Sequence, residues 1–120
     1  LCARRSPAQS LMQISLLPLD PPPCLRYFIR ADGKHVGGIT VHSVSGTRFS
    51  YGVAVSKAMR RRGIASAALP LLFETMKARG FSVCAVQIAP ENRASLTLHQ
   101  KLGFTEARRD KQAVTMEKRI

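Results

Sequence analysis

The chain has 120 residues, of which 45% are hydrophobic and 22% charged, a balance that fits one domain with one core and argues against a disordered chain. Lys and Arg number 19 against 7 Asp and Glu, a formal net charge of +12. That charge favours anionic partners such as nucleotides, CoA-like ligands, nucleic acid or acidic surfaces, although a solvated basic face gives the same number.

No apolar run approaches the length of a membrane span. Residues 1–10 carry Arg4 and Arg5 without the apolar core of a signal peptide, and they read as a flexible start. Leu1 stands where a Met is usual, which points to a trimmed or partial chain. Cys2, Cys24 and Cys84 are an odd set without metal-ligand spacing, so no metal is expected and a reduced, cytoplasmic setting fits best. Cys84, inside an apolar run, reads as a small core residue.

In chain order, residues 11–19 are apolar enough for a first strand, with Pro18 near its end. Asp20 and three prolines then form an extended connector that admits no helix. Residues 25–30 alternate as a strand, Asp32-Gly33 signals a tight hairpin, and residues 35–44 return. Gly37-Gly38 in the returning strand marks a bulge or a close backbone approach. A turn at Ser45-Gly46-Thr47 leads to a third strand, Arg48–Val55.

The period then changes from two to 3.6. Residues 63–79 are helical, with Ile64, Ala68, Leu72 and Met76 on one stripe and Gly80 as the stop. Pro70 lies inside this pattern, so a kinked but continuing helix is expected. Residues 81–89 read as a strand parallel to Arg48–Val55 through a right-handed crossover. Asn92 caps a second helix over 93–102, and two short strands (104–109 and 113–119) close the chain as a hairpin. One domain over residues 1–120 follows, with no repeat and no long linker.

The chemistry concentrates at Arg60-Arg61-Arg62-Gly63-Ile64-Ala65, between a strand and a helix start. Backbone N–H groups at such a junction lack intrahelical acceptors and point toward an anion. A solvated basic loop is the plain alternative. Asn92, Ser95 and His99 are the second group, the last two sharing a helix face. On residues alone the plain reading prevails there, with Asn92 a cap, Ser95 a packing residue and His99 surface or core. His35 and His42 have no metal-spaced partner, and no paired carboxylates or nucleophile–base motif is present.

Two blocks together resemble the GNAT-type N-acetyltransferases. Val53-Ala54-Val55 followed by Arg60 to Ala65 is similar to the family's Gln/Arg-x-x-Gly-x-Gly/Ala acetyl-CoA signature. Asn92-Arg93-Ala94-Ser95 through Leu98-His99-Gln100-Lys101-Leu102-Gly103-Phe104 resembles the segment Asn-x-x-Ser/Ala that ends in Tyr-x-Lys-x-Gly-Phe. The resemblance runs from about Leu25 to the C-terminus. It implies an α/β (α+β) fold, a mixed V-splayed sheet of about six to seven strands with two main helices.

It further implies acetyl-CoA as co-substrate. The pyrophosphate is then expected on the loop and helix start, from Arg60, Arg61, Arg62 and Gly63 through Ile64, Ala65 and Ser66. The pantetheine arm is expected along Val53, Ala54 and Val55 like an added strand, flanked by Asn92 and Ser95. The implied reaction is direct attack of a neutral amine on the thioester, with the oxyanion held by a backbone N–H near Val55. His99 stands where many members carry the tyrosine that protonates the departing thiolate. Tyr51, His42 or a held water are the candidates for the base.

Family members usually carry two helices between their first and second strands, which this sequence replaces with Asp20 to Cys24. The acceptor side is therefore expected either to be open, suiting a large partner such as a protein terminus or lysine, or to be completed by a second copy in a homodimer; the acceptor expected is a small-molecule amine or a protein or peptide amine. Two competing functions remain at this stage. One is a CoA-binding domain that transfers nothing. The other is a basic nucleic-acid module, which aromatics of only 6% do not favour.

Overall fold

The computed structural model describes residues 13–21, 25–60 and 62–120. The expectations for residues 1–10, for Cys2 and Cys24, for Pro22 and Pro23, and for Arg61 lie outside the described residues. The elements run β1 (Ile14–Pro18), β2 (Arg26–Ala31), β3 (Lys34–Ser45), β4 (Arg48–Val55), a 3-10 turn (Lys57–Met59), α1 (Ile64–Ala78), β5 (Val83–Ile88), α2 (Arg93–Lys101), β6 (Thr105–Arg109) and β7 (Val114–Arg119). The seven strands form a single sheet in the order β1-β2-β3-β4-β5-β7-β6. The mixed α+β architecture expected from the sequence is thus what the chain adopts.

The chain divides into two compact units, one built from Leu1–Thr40 and Val53–Leu71, the other from Val41–Gly52 and Leu72–Ile120. In the first unit, β1, β2 and the start of β3 are antiparallel. The hairpin between β2 and β3 turns on Asp32 and Gly33, both at positive φ (52° and 81°), the geometry that Asp-Gly favours. The register slips between Ile29↔Gly37 and Arg30↔His35, which makes Val36 a bulge. Tyr27, Ile29, Ala31, Val36 and Ile39 are buried, as are Ile64, Ala68 and Leu69 at the front of α1. Pro18 ends β1, an edge strand, where a missing N–H costs the ladder least.

In the second unit, β4 pairs parallel with β5 at Arg48↔Val83 and Phe49↔Cys84. β7 then pairs antiparallel with β5 over its whole length, and β6 pairs with β7. Strand alternation buries Phe49 and Tyr51 of β4, Cys84, Val86 and Ile88 of β5, and Val114 and Met116 of β7. Leu72, Phe73 and Met76 of α1 are buried in the same unit; each such side chain stabilises by about 1.5–3 kcal/mol.

α1 runs unbroken through Pro70, which is exposed. Cys84 is a core residue, its thiol pushed up to about 12 by burial, so it is no nucleophile.

Candidate functional site

Unit one carries the basic turn. β4 leaves its last residue, Val55, into Ser56 and the 3-10 turn, an element the sequence pattern did not reveal. Arg60 folds back and donates from Nε to the Val55 carbonyl at 3.1 Å. Arg60 therefore ties the loop to the end of the strand while keeping its exposed charge on the loop. Gly63 has φ +76, and a Cβ added there would meet nothing within 4 Å. The position excludes side chains by conformation rather than by crowding, and it leaves open space over the start of α1. Arg62 and Ser66 are exposed, Ala65 half-buried and Ile64 buried, so the helix is anchored by one side chain and presents the others outward.

Beside that loop, β3 approaches the end of β4 closely. A Cβ on Gly37 would lie 2.3 Å from the Ala54 carbonyl oxygen and 3.0 Å from the Val55 Cα. The bulge at Val36 turns its carbonyl to accept from the Ser56 N–H at 2.7 Å. A cavity of about 310 Å3 opens here, lined by His35 to Gly38 and by Ala54 to Ser56. The close approach read from Gly37-Gly38 is therefore located, and its partners, Ala54 and Val55, belong to the segment singled out for a pantetheine arm.

Unit two carries the histidine. Asn92 caps α2, its side-chain oxygen accepting from the Ser95 N–H at 3.1 Å. One turn on, His99 is buried at 3% exposure. Its Nδ1 lies 2.7 Å from the Ser95 carbonyl oxygen. A carbonyl can only accept, so Nδ1 carries the proton and neutral His99 presents a bare Nε2. Tyr51 Oη lies 2.7 Å from that nitrogen, so the tyrosine donates to the histidine. The pair packs against Phe73 and Phe104.

Burial lowers the affinity of His99 for a second proton, partly offset by the bond to Ser95, and burial raises the Tyr51 phenol above its usual range. A neutral His99 in this tautomer has no N–H to give at Nε2. Tyr51, with its proton held and its ionisation suppressed, is a poor base.

A pH prediction follows from His99. Its folded-state affinity for a proton lies below that of the unfolded chain, whose histidine titrates near 6.5. As pH falls below about 6.5 the unfolded state gains a proton that the folded state resists, so stability falls. Above pH 7 the effect is absent. Urea midpoints measured between pH 7 and pH 5 should drop more steeply for the wild type than for His99→Gln; equal slopes would refute the buried neutral state.

The same unit holds a second cavity, of about 540 Å3, lined by residues from β3, β4, β5, β6 and β7. The β4–β5 ladder stops at Phe49↔Cys84, and the cavity lies beyond it, between Ser50 and Tyr51 on one side and Ala85 to Gln87 on the other. The two parallel strands thus part as expected. His42 is exposed and lines this cavity. Ser50, Gln87, Arg108 and Thr115 line it too, and no sequence pattern singled them out. Alternation could have placed Ser50 and Gln87 opposite the buried face, and the crossover pairs their strands, but nothing local sets the register that brings them to one cavity.

The sequence matches the model of the Acetyltransferase (GNAT) family over residues 3–104. No match was found among curated proteins. Among solved structures, the chain is similar to the ribosomal-protein-S18-alanine N-acetyltransferase from Escherichia coli (TM-score 0.71, 21% identity, covering 84% of this chain and 72% of that one). It is similar to the PaiA N-acetyltransferase from Thermoplasma acidophilum, solved in complex with coenzyme A (TM-score 0.72, 20% identity, covering 80% and 60%). YncA from Salmonella typhimurium, solved with its cofactor acetyl-CoA, is a third (TM-score 0.69, 22% identity, covering 78% and 63%). At these identities the likeness shows the fold. The chain spans less than two thirds of the second and third of these proteins.

Proposed function

We propose, because the chain belongs to the GNAT family of acetyltransferases, that it is an acetyl-CoA-dependent N-acetyltransferase acting on a primary amine. The observation that carries the reading is the junction at Gly63, a left-handed glycine with open space at its Cβ, immediately before the start of a 15-residue helix. Such a junction suits a pyrophosphate, which the N–H groups of the first helical turn and the positive end of the helix would hold. Arg60, Arg61 and Arg62 add charge there. The backbone of Val53 to Val55 offers the edge for the pantetheine arm.

Acetyl-CoA, when bound, supplies the activated acetyl thioester. The chain's own residues bind and orient it, and a backbone N–H near Val55 is assigned to the developing oxyanion. The acceptor amine must reach the site neutral. Tyr51 is buried with its proton committed to His99, so His42 or a held water is the better candidate for the base. His99 is an acid only as its imidazolium, a state its burial disfavours. Our reading is that the departing thiolate takes its proton from solvent and that His99 holds Tyr51 in place. A fall in kcat of more than about tenfold in His99→Gln, with the fold intact, would favour the acid role instead.

The test has two parts. CoA should raise the melting temperature of the wild type, and Arg60→Glu should cut that rise, since it removes both the loop charge and the bond to Val55. Acetyl-CoA with pooled amines should release thiol. No rise with CoA at all would end the proposal. A rise without release on any amine would support the second reading, a CoA-binding domain without transfer. That alternative draws on the short connection between β1 and β2, residues 19–25, where the resemblance implies acceptor-side helices.

A further inference from the structure

The cavity of the second unit says more than its volume. Apart from the buried Phe49, Tyr51 and Val86, its lining comes from the sheet face opposite the core. Along β4, Arg48 and Ser50 alternate with buried Phe49 and Tyr51. On β5 and β7, Gln87 is registered with Thr115, and both lie between buried neighbours. Among the described residues, no Asp or Glu lines this cavity. Arg48 is neutralised by its ion pair with Glu117. Arg108 makes no hydrogen bond or ion pair among the described residues, and its charge helps to hold the carboxyl of Asp110, on the following turn, below its usual range.

The position of Arg108 depends on a device in β6. The strand pairs Thr105↔Glu117 and Glu106↔Met116, then Arg108↔Thr115. Ala107 is the extra residue of a bulge. Without it Ala107 would stand opposite Thr115, and Arg108 would stand opposite the buried Val114 on the other face. The bulge turns a guanidinium onto the cavity face, above Ser50, Gln87 and Thr115, each of which brings a hydrogen-bonding group.

We propose that this cavity is the acceptor site and that it takes amines carrying an anionic group, a carboxylate or a phosphate, held by Arg108. The proposal rests on the acetyltransferase reading, which assigns the donor to the Gly63 junction and to the backbone of Val53 to Val55. A guanidinium matches planar carboxylate and phosphate oxygens with two parallel bonds. The same charge disfavours polyamines and lysine-rich peptides, whose second cation finds no acidic group in the lining.

The test pairs amines that differ only in the anion: an ω-amino acid against its amide, an aminoalkyl phosphate against its alcohol, and a polyamine as the opposite case. With acetyl-CoA, kcat/KM for an anionic member should exceed that of its neutral partner by about tenfold or more. Arg108→Gln should remove most of that preference, bringing kcat/KM for the anionic amine down toward that of its neutral partner. The two pairs distinguish carboxylate from phosphate recognition. Activity with a neutral amine or the polyamine preferred would overturn the acceptor assignment while leaving acetyl transfer standing.

Binding is read separately by titrating the aminoalkyl phosphate and the ω-amino acid into the protein and following the amide signals of Gln87 and Thr115. Saturable shifts that Arg108→Gln abolishes support the site even if no amine turns over. Absence of shifts with either ligand overturns it whatever the turnover.

Discussion

Replacing Gly63 with Val is expected to lower affinity for CoA by about 10- to 100-fold and to erase most of the thermal shift that CoA produces. The effect is conformational. Gly63 sits at φ +76, where a β-branched residue is a genuine outlier and an ordinary L-residue costs roughly 1–2 kcal/mol. A Cβ there meets nothing within 4 Å, so the cost cannot be a clash. The loop has one inexpensive response, which is to leave the left-handed region and rotate the peptides that precede α1. Those peptides and the first turn of the helix carry the N–H groups proposed for the pyrophosphate.

Gly63→Asn separates the two contributions. Asn tolerates the left-handed region, so it should keep CoA affinity within about threefold of the wild type while adding a side chain at the same place. Isothermal titration with CoA on the three proteins decides the matter. Equal affinity of the Val variant and the wild type would remove the loop from the binding site.

Much of this was readable in the residues. The Asp32-Gly33 hairpin, the change from period two to 3.6 at Ile64 and the cap at Asn92 are local devices, and the chain adopts each of them. Pro70 does not end α1, because one missing N–H is outweighed by the buried stripe from Ile64 to Met76. The site was legible only in part, for a physical reason. Asn92, Ser95 and His99 share a helix by spacing alone, but that spacing cannot show that the Ser95 carbonyl fixes the tautomer of His99 or that Tyr51, 48 positions away, donates to it. The bulge at Ala107 leaves no signature in Thr-Glu-Ala-Arg-Arg, yet it decides which face Arg108 takes. Contacts of this kind depend on register, which is set by partners far along the chain.

Gly37→Ala should be the most damaging single methyl in the chain's first unit, destabilising by about 2–4 kcal/mol, whereas Gly38→Ala should cost less than about 1 kcal/mol. Both substitutions add the same group to the same strand, so differences in propensity and in unfolded-chain entropy nearly cancel. The surroundings differ. The added Cβ at position 37 would stand 2.3 Å from the Ala54 carbonyl oxygen, 3.2 Å from its carbon and 3.0 Å from the Val55 Cα, all backbone atoms that no rotamer change can move aside. At position 38 the nearest atom is the Tyr27 carbonyl oxygen at 3.4 Å.

To admit the methyl at 37, the end of β4 must shift and strain the bond from the Ser56 N–H to the Val36 carbonyl. That strand end carries Val53 to Val55, the proposed edge for the pantetheine arm. The Ala variant at 37 should therefore also raise KM for acetyl-CoA by about tenfold or more, with the variant at 38 near wild type. Urea midpoints and initial rates on the matched pair measure both effects. If the two variants unfold together and share one KM, the close approach of Gly37 to β4 neither limits stability nor shapes the donor site.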